Sequence, residues 1–319
     1  MTTATTLPRV SLLQGGFGEA GYGLTVDVEE WYHNCLVPNY VKPELRPALP
    51  VELDRLLPEL LAMLAAAERR ATFFVLGEVA ARLPWRVREI ARAGHEVASH
   101  GYYHLRACER TAVAFDRDVR RCKALLEDLL GEPVLGFRAP EWSLRTVGSA
   151  LLPLVAAAGF LYDSSLVPYS FSGRRSNPVF ACRLDWQDPG NQGELSLLEF
   201  PPLTFGGLLR VPAGSWTGRI VDPARLAAAA RRHLARGGMP VAVLHPWEIS
   251  GRPTPGRLAG LARFIHETGR IAYPPKFRHL LAAFPWTTIP AAAGLTHSAP
   301  QAAFDLPAIS SPAPALAAY

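Results

Sequence analysis

Two histidines, His100 and His104, are four positions apart in the stretch GHEVASHGYYH. On a helix or a helical turn, side chains at positions i and i+4 share one face, so both imidazoles can bind one metal ion. A short β-like run at residues 96–98 precedes them, which places the pair just past a strand end, where α/β folds position their chemistry. Without further context, such a pair is more often an ordinary one that is exposed or hydrogen-bonded.

Polar residues also follow other apolar, strand-like runs, and these runs supply the context. The residues at their carboxyl ends are Asp27, Glu29, Glu30, Arg138, Asp163 and His245. Acidic residues that directly follow a buried strand destabilise the fold unless they are paired or bound to a metal. Their presence here therefore favours a functional site. In a closed or nearly closed parallel barrel, the carboxyl ends of the strands converge on one face, so these side chains are expected to meet the two histidines.

One carboxylate and two histidines make a three-ligand site with an open position, which is typical of catalytic rather than structural zinc. The expected cofactor is therefore a divalent metal ion, Zn first, although Co, Ni and Fe accept the same ligand types. An open site lets the ion polarise a carbonyl and lower the pKa of bound water. A second carboxylate can then act as the base and a separate histidine as the acid.

Helical periodicity alternates with the strand-like runs along most of the chain. Predicted strands lie at residues 23–28, 71–76, 96–98, 133–137, 159–162 and 240–244, and predicted helices at 50–69, 78–93, 111–130, 146–158, 223–234, 257–268 and 276–284. This alternation is the signature of parallel βαβ units and predicts an α/β fold.

Residues 167–236 break the alternation, because loop residues interrupt them and only short strands or hairpins are indicated, at 199–202 and 208–211. We interpret this region as an insertion before the last core strand that packs over the barrel mouth. Trp216 and Arg219 within it are candidate substrate contacts.

The composition limits the classes of protein. A chain of 319 residues with 49% apolar content permits one large α/β domain or two smaller ones. The formal net charge of +5 is carried by scattered arginines, since Lys42, Lys123 and Lys276 are the only lysines. No basic stripe interleaved with aromatic residues is present, so nucleic-acid binding is not expected.

Nothing in the sequence indicates a membrane or secreted protein. It has no run of about 18 apolar residues, so no transmembrane segment is expected, and residues 1–8 lack the basic and apolar regions of a secretory signal. The four cysteines have no C-x-x-C spacing, which fits a reduced, cytoplasmic chain with free thiols. The oligomeric state cannot be read from the sequence.

Taken together, the motifs resemble those of the polysaccharide deacetylases of carbohydrate esterase family four, also called NodB-homology proteins. More narrowly, they resemble the subgroup encoded with bacterial exopolysaccharide and exosortase systems. The matching segments are TVDVEEW at residues 25–31, ATFFVLG at 71–77, GHEVASHG at 94–101 with His104, FRAP at 137–140, YDSS at 162–165 and LHPWE at 244–248. They occur in the order typical of the family and cover roughly residues 20–285.

The resemblance implies a distorted, incomplete (β/α)7 barrel, similar to a TIM barrel, and metal-dependent removal of N-acetyl groups from an acetylated amino-sugar polysaccharide. It implies that His100 and His104 bind the metal ion. It also implies that Asp27 is the general base and that Arg138 orients Asp27 and stabilises its charge.

The resemblance further implies that His245 protonates the leaving amine, with Asp163 close enough to tune it. The oxyanion would be held by the metal and by a backbone N–H near Tyr102 or Tyr103. The substrate-binding residues that it implies are Trp31, Tyr103, Pro140, Trp142, Leu244 and Trp247.

The chain departs from the family at its first motif, where most members carry two adjacent aspartates, base and then ligand. Here Val28 follows Asp27, and its side chain should point to the opposite face of an extended strand. Glu29 returns to the face of Asp27 and is assigned as the third metal ligand, with Glu30 as the alternative. A further alternative is that Asp27 is itself the ligand.

The expected organisation is a flexible arm at residues 1–20, a deacetylase domain at 21–285 and an Ala/Pro-rich, disordered tail at 286–319. Two other functions remain open. One is a hydrolase of the same fold that cleaves a non-sugar amide or ureide C–N bond. The other is a glycan-binding protein without turnover, against which the presence of Asp27, both histidines and His245 argues.

Overall fold

The computed structural model describes residues 7–13, 21–33, 41–168, 177–187, 193–206, 210–252 and 260–295. The strands are β1 (Arg9–Leu12), β2 (Gly23–Val28), β3 (Thr72–Val75), β4 (Glu96–Ser99), β5 (Gly136–Phe137), β6 (Tyr162–Asp163), β7 (Cys182–Gln187), β8 (Glu194–Glu199), β9 (Thr204–Phe205), β10 (Val211–Pro212) and β11 (Val241–Leu244). Nine of them form one sheet in the order β1-β7-β8-β6-β5-β4-β3-β2-β11, and β9 pairs with β10.

The main sheet is largely parallel. Neighbouring strands from β8 to β11 in this order run parallel, whereas β1 and β7 pair antiparallel with their neighbours. The predicted α/β fold with a parallel sheet and helices is confirmed. Among the described strands no ladder joins β11 to β1, and the incomplete (β/α)7 barrel stays a prediction.

The helices that connect these strands are α1 (Leu53–Ala66), α2 (Gly77–Arg82), α3 (Pro84–Arg92), α4 (Ala112–Leu130), α5 (Leu152–Ala157), α6 (Ser215–Ile220), α7 (Pro223–Ala235), α8 (Gly260–Glu267), α9 (Tyr273–Ala283) and α10 (Ile289–Ala293). The predicted helix at 78–93 is two helices, because Pro84 lacks the N–H that would continue α2 and instead begins α3. The first residues of the predicted helix at 257–268 lie outside the described residues.

The helices bury the apolar faces that the periodicity predicted. In α1, Leu56, Leu60 and Leu64 are fully buried. Helix α4 begins where the Thr111 side chain accepts a hydrogen bond from the Ala114 N–H, and it ends at Gly131, whose φ of 73° is left-handed. These ends fix the lengths of the connections to β4 and β5, and therefore the positions of the residues that follow both strands.

Part of the predicted insertion at 167–236 belongs to the main sheet, so the prediction was wrong for that part. β7 and β8 form a hairpin, and β8 also pairs parallel with β6. The reason is the alternating apolar pattern of the hairpin, which buries Leu184, Trp186 and Leu197. The remainder, with β9, β10 and α6, lies beside the candidate site described below; residues 207–209 of the predicted strand at 208–211 lie outside the described residues.

Both predicted domain boundaries need correction. Strand β1 lies inside the predicted flexible arm, where it pairs with β7. After residue 285, Trp286 and Ile289 are buried and α10 packs against β2, so the folded chain extends to at least Leu295. Burial of Trp286 and Ile289 explains the second result. Strand β1 is instead placed by its antiparallel ladder with β7, since its Val10 and Leu12 remain exposed. Residues 296–319 lie outside the described residues.

Two simple expectations concern membranes and thiols. In the part of the chain that the structure describes, no helix combines the length and the apolar character needed to cross a bilayer. Cys108, Cys122 and Cys182 are free thiols, and Cys35 lies outside the described residues.

Candidate metal centre and active site

The strands bring the predicted polar residues to one edge of the sheet. The period of two along β2 places Thr25 and Asp27 on the same face, and both contact the guanidinium of Arg138, which follows β5. His100 follows β4, and His245 follows β11. Because all these strands are parallel, their carboxyl ends meet, and the side chains converge as predicted.

Three of the residues predicted from the sequence form a group that could hold a metal ion. Glu29, His100 and His104 are buried, and one ligand atom from each lies within 4.8 Å of the others. Glu29 Oε2 is 2.6 Å from His104 Nε2. His100 Nδ1 donates a hydrogen bond to the backbone O of Arg138 at 2.8 Å, which leaves Nε2 as the ligand atom. A carboxylate and two neutral imidazoles fit a catalytic divalent ion such as zinc.

The electrostatics of the group favour metal binding. Burial lowers the pKa of His100 to about 4, which keeps the imidazole neutral. Burial alone would raise the pKa of Glu29, but the charges of His104 and His245 outweigh it and hold this pKa far below its usual range. A neutral imidazole at His100 and an ionised carboxylate at Glu29 are the states in which these two residues can bind a metal.

Glu30 does not join this group. Its Oε1 accepts a hydrogen bond from the Leu53 N–H at 2.9 Å, and burial raises its pKa to about 7. Its contact with the start of α1 explains why the chain carries an acid there. The geometry thus favours Glu29 over Glu30 as the carboxylate ligand.

Asp27 lies in an ion pair with Arg138. Arg138 Nη1 donates to Asp27 Oδ1 at 2.6 Å and to Thr25 Oγ1 at 2.8 Å. Its Nε and Nη2 donate to the backbone O and the Oγ of Ser164 at 3.0 and 2.9 Å. Arg138 is fully buried, so this network fixes both its position and the direction of the Asp27 carboxylate.

His245 lies among three carboxylates. Its Nε2 is 3.2 Å from Glu29 Oε1 and 3.9 Å from Asp27 Oδ2. Its Nδ1 is 3.1 Å from Glu248 Oε2, which also accepts from the His245 backbone N–H at 2.9 Å. Burial lowers the pKa of His245, but Glu29, Glu248 and Asp27 outweigh it and raise this pKa to about 9. A histidine that holds its proton in this way can act as a general acid.

Glu248 is a residue of the site to which the sequence reasoning gave no role. It is fully buried, and its Oε1 is 2.9 Å from Nε of Arg219. The signal that could have found it is its position three residues after His245, which caps the 3₁₀ turn Pro246–Ile249. There an acid bonds back to the residue that caps the turn.

Asp163, predicted to tune His245, has other partners. Its Oδ1 accepts from Ser165 Oγ at 2.6 Å, and its carboxyl group is hydrogen-bonded to that of Glu199 at the end of β8. Burial raises the pKa of both acids, as expected for two adjacent carboxyl groups that share a proton. In the structure it is therefore Glu248, and not Asp163, that contacts His245.

The backbone N–H groups expected to hold an oxyanion are also engaged elsewhere. The Tyr102 N–H donates to Asp118 Oδ2 at 2.7 Å, and the Tyr103 N–H is bonded to the same carboxylate. Asp118 thus fixes the turn between the two candidate ligands His100 and His104, and in this arrangement it occupies the N–H groups of Tyr102 and Tyr103.

The site opens into a cavity of about 400 Å³. Asp27, Glu29, His100, His104 and His245 line it, together with the predicted substrate contacts Trp142, Trp216, Arg219 and Trp247. The other predicted substrate contacts, Trp31, Tyr103, Pro140 and Leu244, are not among the described residues that line this cavity. Trp31 packs against Tyr32, Leu56 and the cavity-lining Trp247. Leu244 belongs to the main hydrophobic core.

Fold and site together define a class of protein. It is an α/β protein with a candidate metal centre of one carboxylate and two histidines, next to the buried His245 and Asp27. Residues 50–157 match the family model of polysaccharide deacetylases. The matched part is roughly a third of the chain and contains both metal-type histidines and Arg138.

Curated relatives match over a similar length. A peptidoglycan deacetylase of Helicobacter pylori is 31% identical over 116 residues, which are 36% of this chain and 39% of that protein. A chitooligosaccharide deacetylase of Sinorhizobium fredii is 32% identical over 135 residues, 42% of this chain and 54% of that protein. The matches therefore span only about two fifths to one half of these relatives.

A solved structure matches over most of the chain. The crystal structure of a candidate polysaccharide deacetylase of Mycobacterium smegmatis superposes with a TM-score of 0.51 at 25% identity, covering 85% of this chain and 87% of that one. The family model, the relatives and this structure together support a polysaccharide deacetylase domain in this chain. They are consistent with an N-deacetylase enzyme.

Proposed function

We propose that this chain is a metal-dependent hydrolase that removes N-acetyl groups from an N-acetylated amino-sugar polysaccharide. The observation that carries the proposal is the meeting of Glu29, His100 and His104 with Asp27 and His245 in one cavity. The family match over residues 50–157 and the named deacetylases support the same reaction.

Glu29, His100 and His104 would hold the ion. When bound, the ion supplies Lewis acidity that polarises the acetyl carbonyl and makes water acidic enough to lose a proton near neutral pH. The expected metal is zinc, on the basis of the ligand types.

Asp27 would accept the proton of the attacking water. The ion pair with Arg138 aims one carboxylate oxygen away from the cavity and leaves Oδ2 on the side of His245, at 3.9 Å from its Nε2. Water attacks the acetyl carbon, the C–N bond breaks, and the nitrogen leaves as an amine that needs a proton. His245 would deliver this proton from Nε2 while Glu248 holds Nδ1–H, so that acetate and a free amino sugar are released.

We base the class of substrate, an acetylated polysaccharide, on the resemblance of the motifs to the subgroup that is encoded with bacterial exopolysaccharide systems. The proposed setting is therefore bacterial exopolysaccharide or cell-envelope metabolism. A cytoplasmic location is proposed from the thiols, since Cys108, Cys122 and Cys182 are free.

Acetate release tests the proposal. Tetra-N-acetylchitotetraose and an acetylated β-1,6-glucosamine oligomer are incubated with enzyme that is stripped of metal and then restored with Zn²⁺, Co²⁺ or Ni²⁺. We expect release only after restoration, and a loss of about 10²-fold or more in His245→Ala, which lacks the acid. Cleavage of a cyclic ureide without release of acetate from any acetylated glycan would contradict the proposal, and so would glycan binding without turnover.

A further inference from the structure

His266 is a buried histidine on the cavity wall that the mechanism above does not use. It lies in α8, is 1% exposed and lines the same cavity as Asp27, Glu29 and His245. Its ring stacks on Trp247, with centroids 4.1 Å apart and planes inclined by 19°. Trp247 also stacks on His245 at 5.2 Å, so the two imidazoles are separated by one indole.

Neither ring nitrogen of His266 has a hydrogen-bond partner among the described residues, and neither reaches solvent. A buried polar atom without a partner destabilises a protein by about 1–3 kcal/mol, so native structures seldom keep one without a reason. Another buried histidine beside an aromatic ring, His233 next to Phe180, does not line this cavity and is not among the residues with an orphaned buried nitrogen.

The surroundings of His266 keep its ring neutral. Burial is the larger cause and the positive charges of Arg270 and Arg219 add to it, which lowers the pKa to about 3. Arg219 donates to the backbone O of both His266 and Ile265, which fixes the helix at this point. A neutral imidazole offers one donor and one acceptor, and a sugar hydroxyl group offers the same pair.

No hydrogen bond to a described residue fixes the orientation of the His266 ring on the cavity wall. A half-turn about the Cβ–Cγ bond exchanges nitrogen and carbon positions within the same plane, so the stacking on Trp247 is retained. No hydrogen bond opposes the turn, because the nitrogens have no partner among the described residues.

We propose that His266 binds a hydroxyl group of the glycan and determines specificity for sugar substrates in this cavity. This proposal rests on the proposed function, because it assigns a substrate-binding role to a residue in the wall of the same site. The hydroxyl group would lie on the opposite side of Trp247 from the proton donor His245, so one indole separates it from the acetylated amine that reacts.

The test uses His266→Phe, which retains the stacking and removes both nitrogens, and His233→Phe as the matched control. Calorimetry on the metal-free protein measures binding of tetra-N-acetylchitotetraose without turnover. We expect about threefold to tenfold weaker binding in His266→Phe, the loss of one neutral hydrogen bond, and unchanged binding in His233→Phe. The melting temperature of His266→Phe should equal or exceed that of the wild type, because an orphaned polar group is removed. Equal affinity in the wild type and His266→Phe, or no binding by the wild type, would overturn the proposal.

Kinetics separate this proposal from the proposed function. With metal-loaded enzyme, His266→Phe should raise KM for the chitotetraose by the same factor, whereas the control His233→Phe should leave KM at the wild-type value. Failure of the wild type to release acetate would refute the deacetylase function alone. Acetate release with an unaltered KM in His266→Phe would refute the role of His266 alone.

Discussion

At the scale of single residues, the site depends on buried charges that hold each other in place. Arg138 forms an ion pair with Asp27. Glu248 contacts both His245 and Arg219 through its two carboxylate oxygens. Each contact is made away from water, where removal of one partner leaves the other charge uncompensated. Small changes at these positions should therefore affect the chemistry more than the binding of substrate.

Glu248→Gln tests this view. The amide removes the negative charge that favours the proton on His245 and leaves Arg219 without its ion pair. We expect kcat for acetate release to fall about tenfold or more, since a positioned acid contributes about 10²–10⁴-fold, while KM and the bound metal change little. Kinetics and elemental analysis measure both.

The matched control is Glu59→Gln, which removes a carboxylate that pairs with Arg55 on the exposed face of α1. This substitution should leave kcat at the wild-type value. If Glu248→Gln also retained the full kcat, Glu248 would be only a structural partner of Arg219.

At the scale of elements, the close approach of α6 to β11 places Trp216 and Arg219 at the cavity. Gly214 forms a parallel bridge with Val243, and a Cβ atom at Gly214 would lie 2.3 Å from the Val243 backbone O. The backbone oxygen cannot move aside as a flexible side chain can. Only glycine therefore fits at this contact.

Gly214→Ala should displace the start of α6 and destabilise the fold by about 1–3 kcal/mol, the usual cost of overpacking. Acetate release should fall as well, because Trp216 and Arg219 would shift with the helix. Urea denaturation and the kinetic assay measure the two effects. The control is Gly193→Ala, where an added Cβ meets nothing within 4 Å; equal stability of the two variants would show that α6 tolerates the displacement.

The positions of the elements, and the residues that follow them, could partly be predicted from the sequence. The bounds of β2 match the predicted strand at 23–28, because its apolar, β-branched residues are buried on both faces and the acids follow directly. The convergence of Asp27, His100, Arg138 and His245 could likewise be predicted, since it follows from the parallel arrangement of the strands.

The partners of these residues could not be predicted in the same way. Asp163 was assigned to His245 from the family resemblance. Its contact with Glu199 was not expected, because the strand that carries Glu199 was interpreted as part of an insertion and not as a neighbour of β6. Glu248 was overlooked because its contact forms only when the chain after β11 turns into a 3₁₀ helix. The contact between Asp163 and Glu199 depends on tertiary packing, whereas that between His245 and Glu248 is local to the turn.

At the scale of the whole molecule, the sheet encloses an acid that should make stability depend on pH. Glu96 at the start of β4 accepts hydrogen bonds from Thr72 of β3 and Tyr162 of β6. Burial raises its pKa from 4.5 to about 7. The folded state therefore retains the proton that the unfolded state loses between these two values, so this group favours folding at low pH and loses that contribution as the pH rises through 7.

Glu96→Gln should remove this dependence. Between pH 5 and pH 8, the free energy of unfolding of the wild type should fall relative to that of the variant by on the order of 1–3 kcal/mol. Urea denaturation at the two pH values measures the difference. The exposed Glu59→Gln variant should follow the wild type, and parallel behaviour of Glu96→Gln and the wild type would show that Glu96 ionises normally in the fold.

The metal content of purified variants after dialysis tests the central claim, that Glu29, His100 and His104 hold one ion. We expect about one equivalent of metal in the wild type, in Glu30→Gln and in Cys122→Ser, since the last two residues lie outside the group. Glu29→Gln and His100→Ala should retain little or none, because each lacks one of three ligands. Equal metal content in all five proteins would show that Glu29 and His100 do not hold the ion.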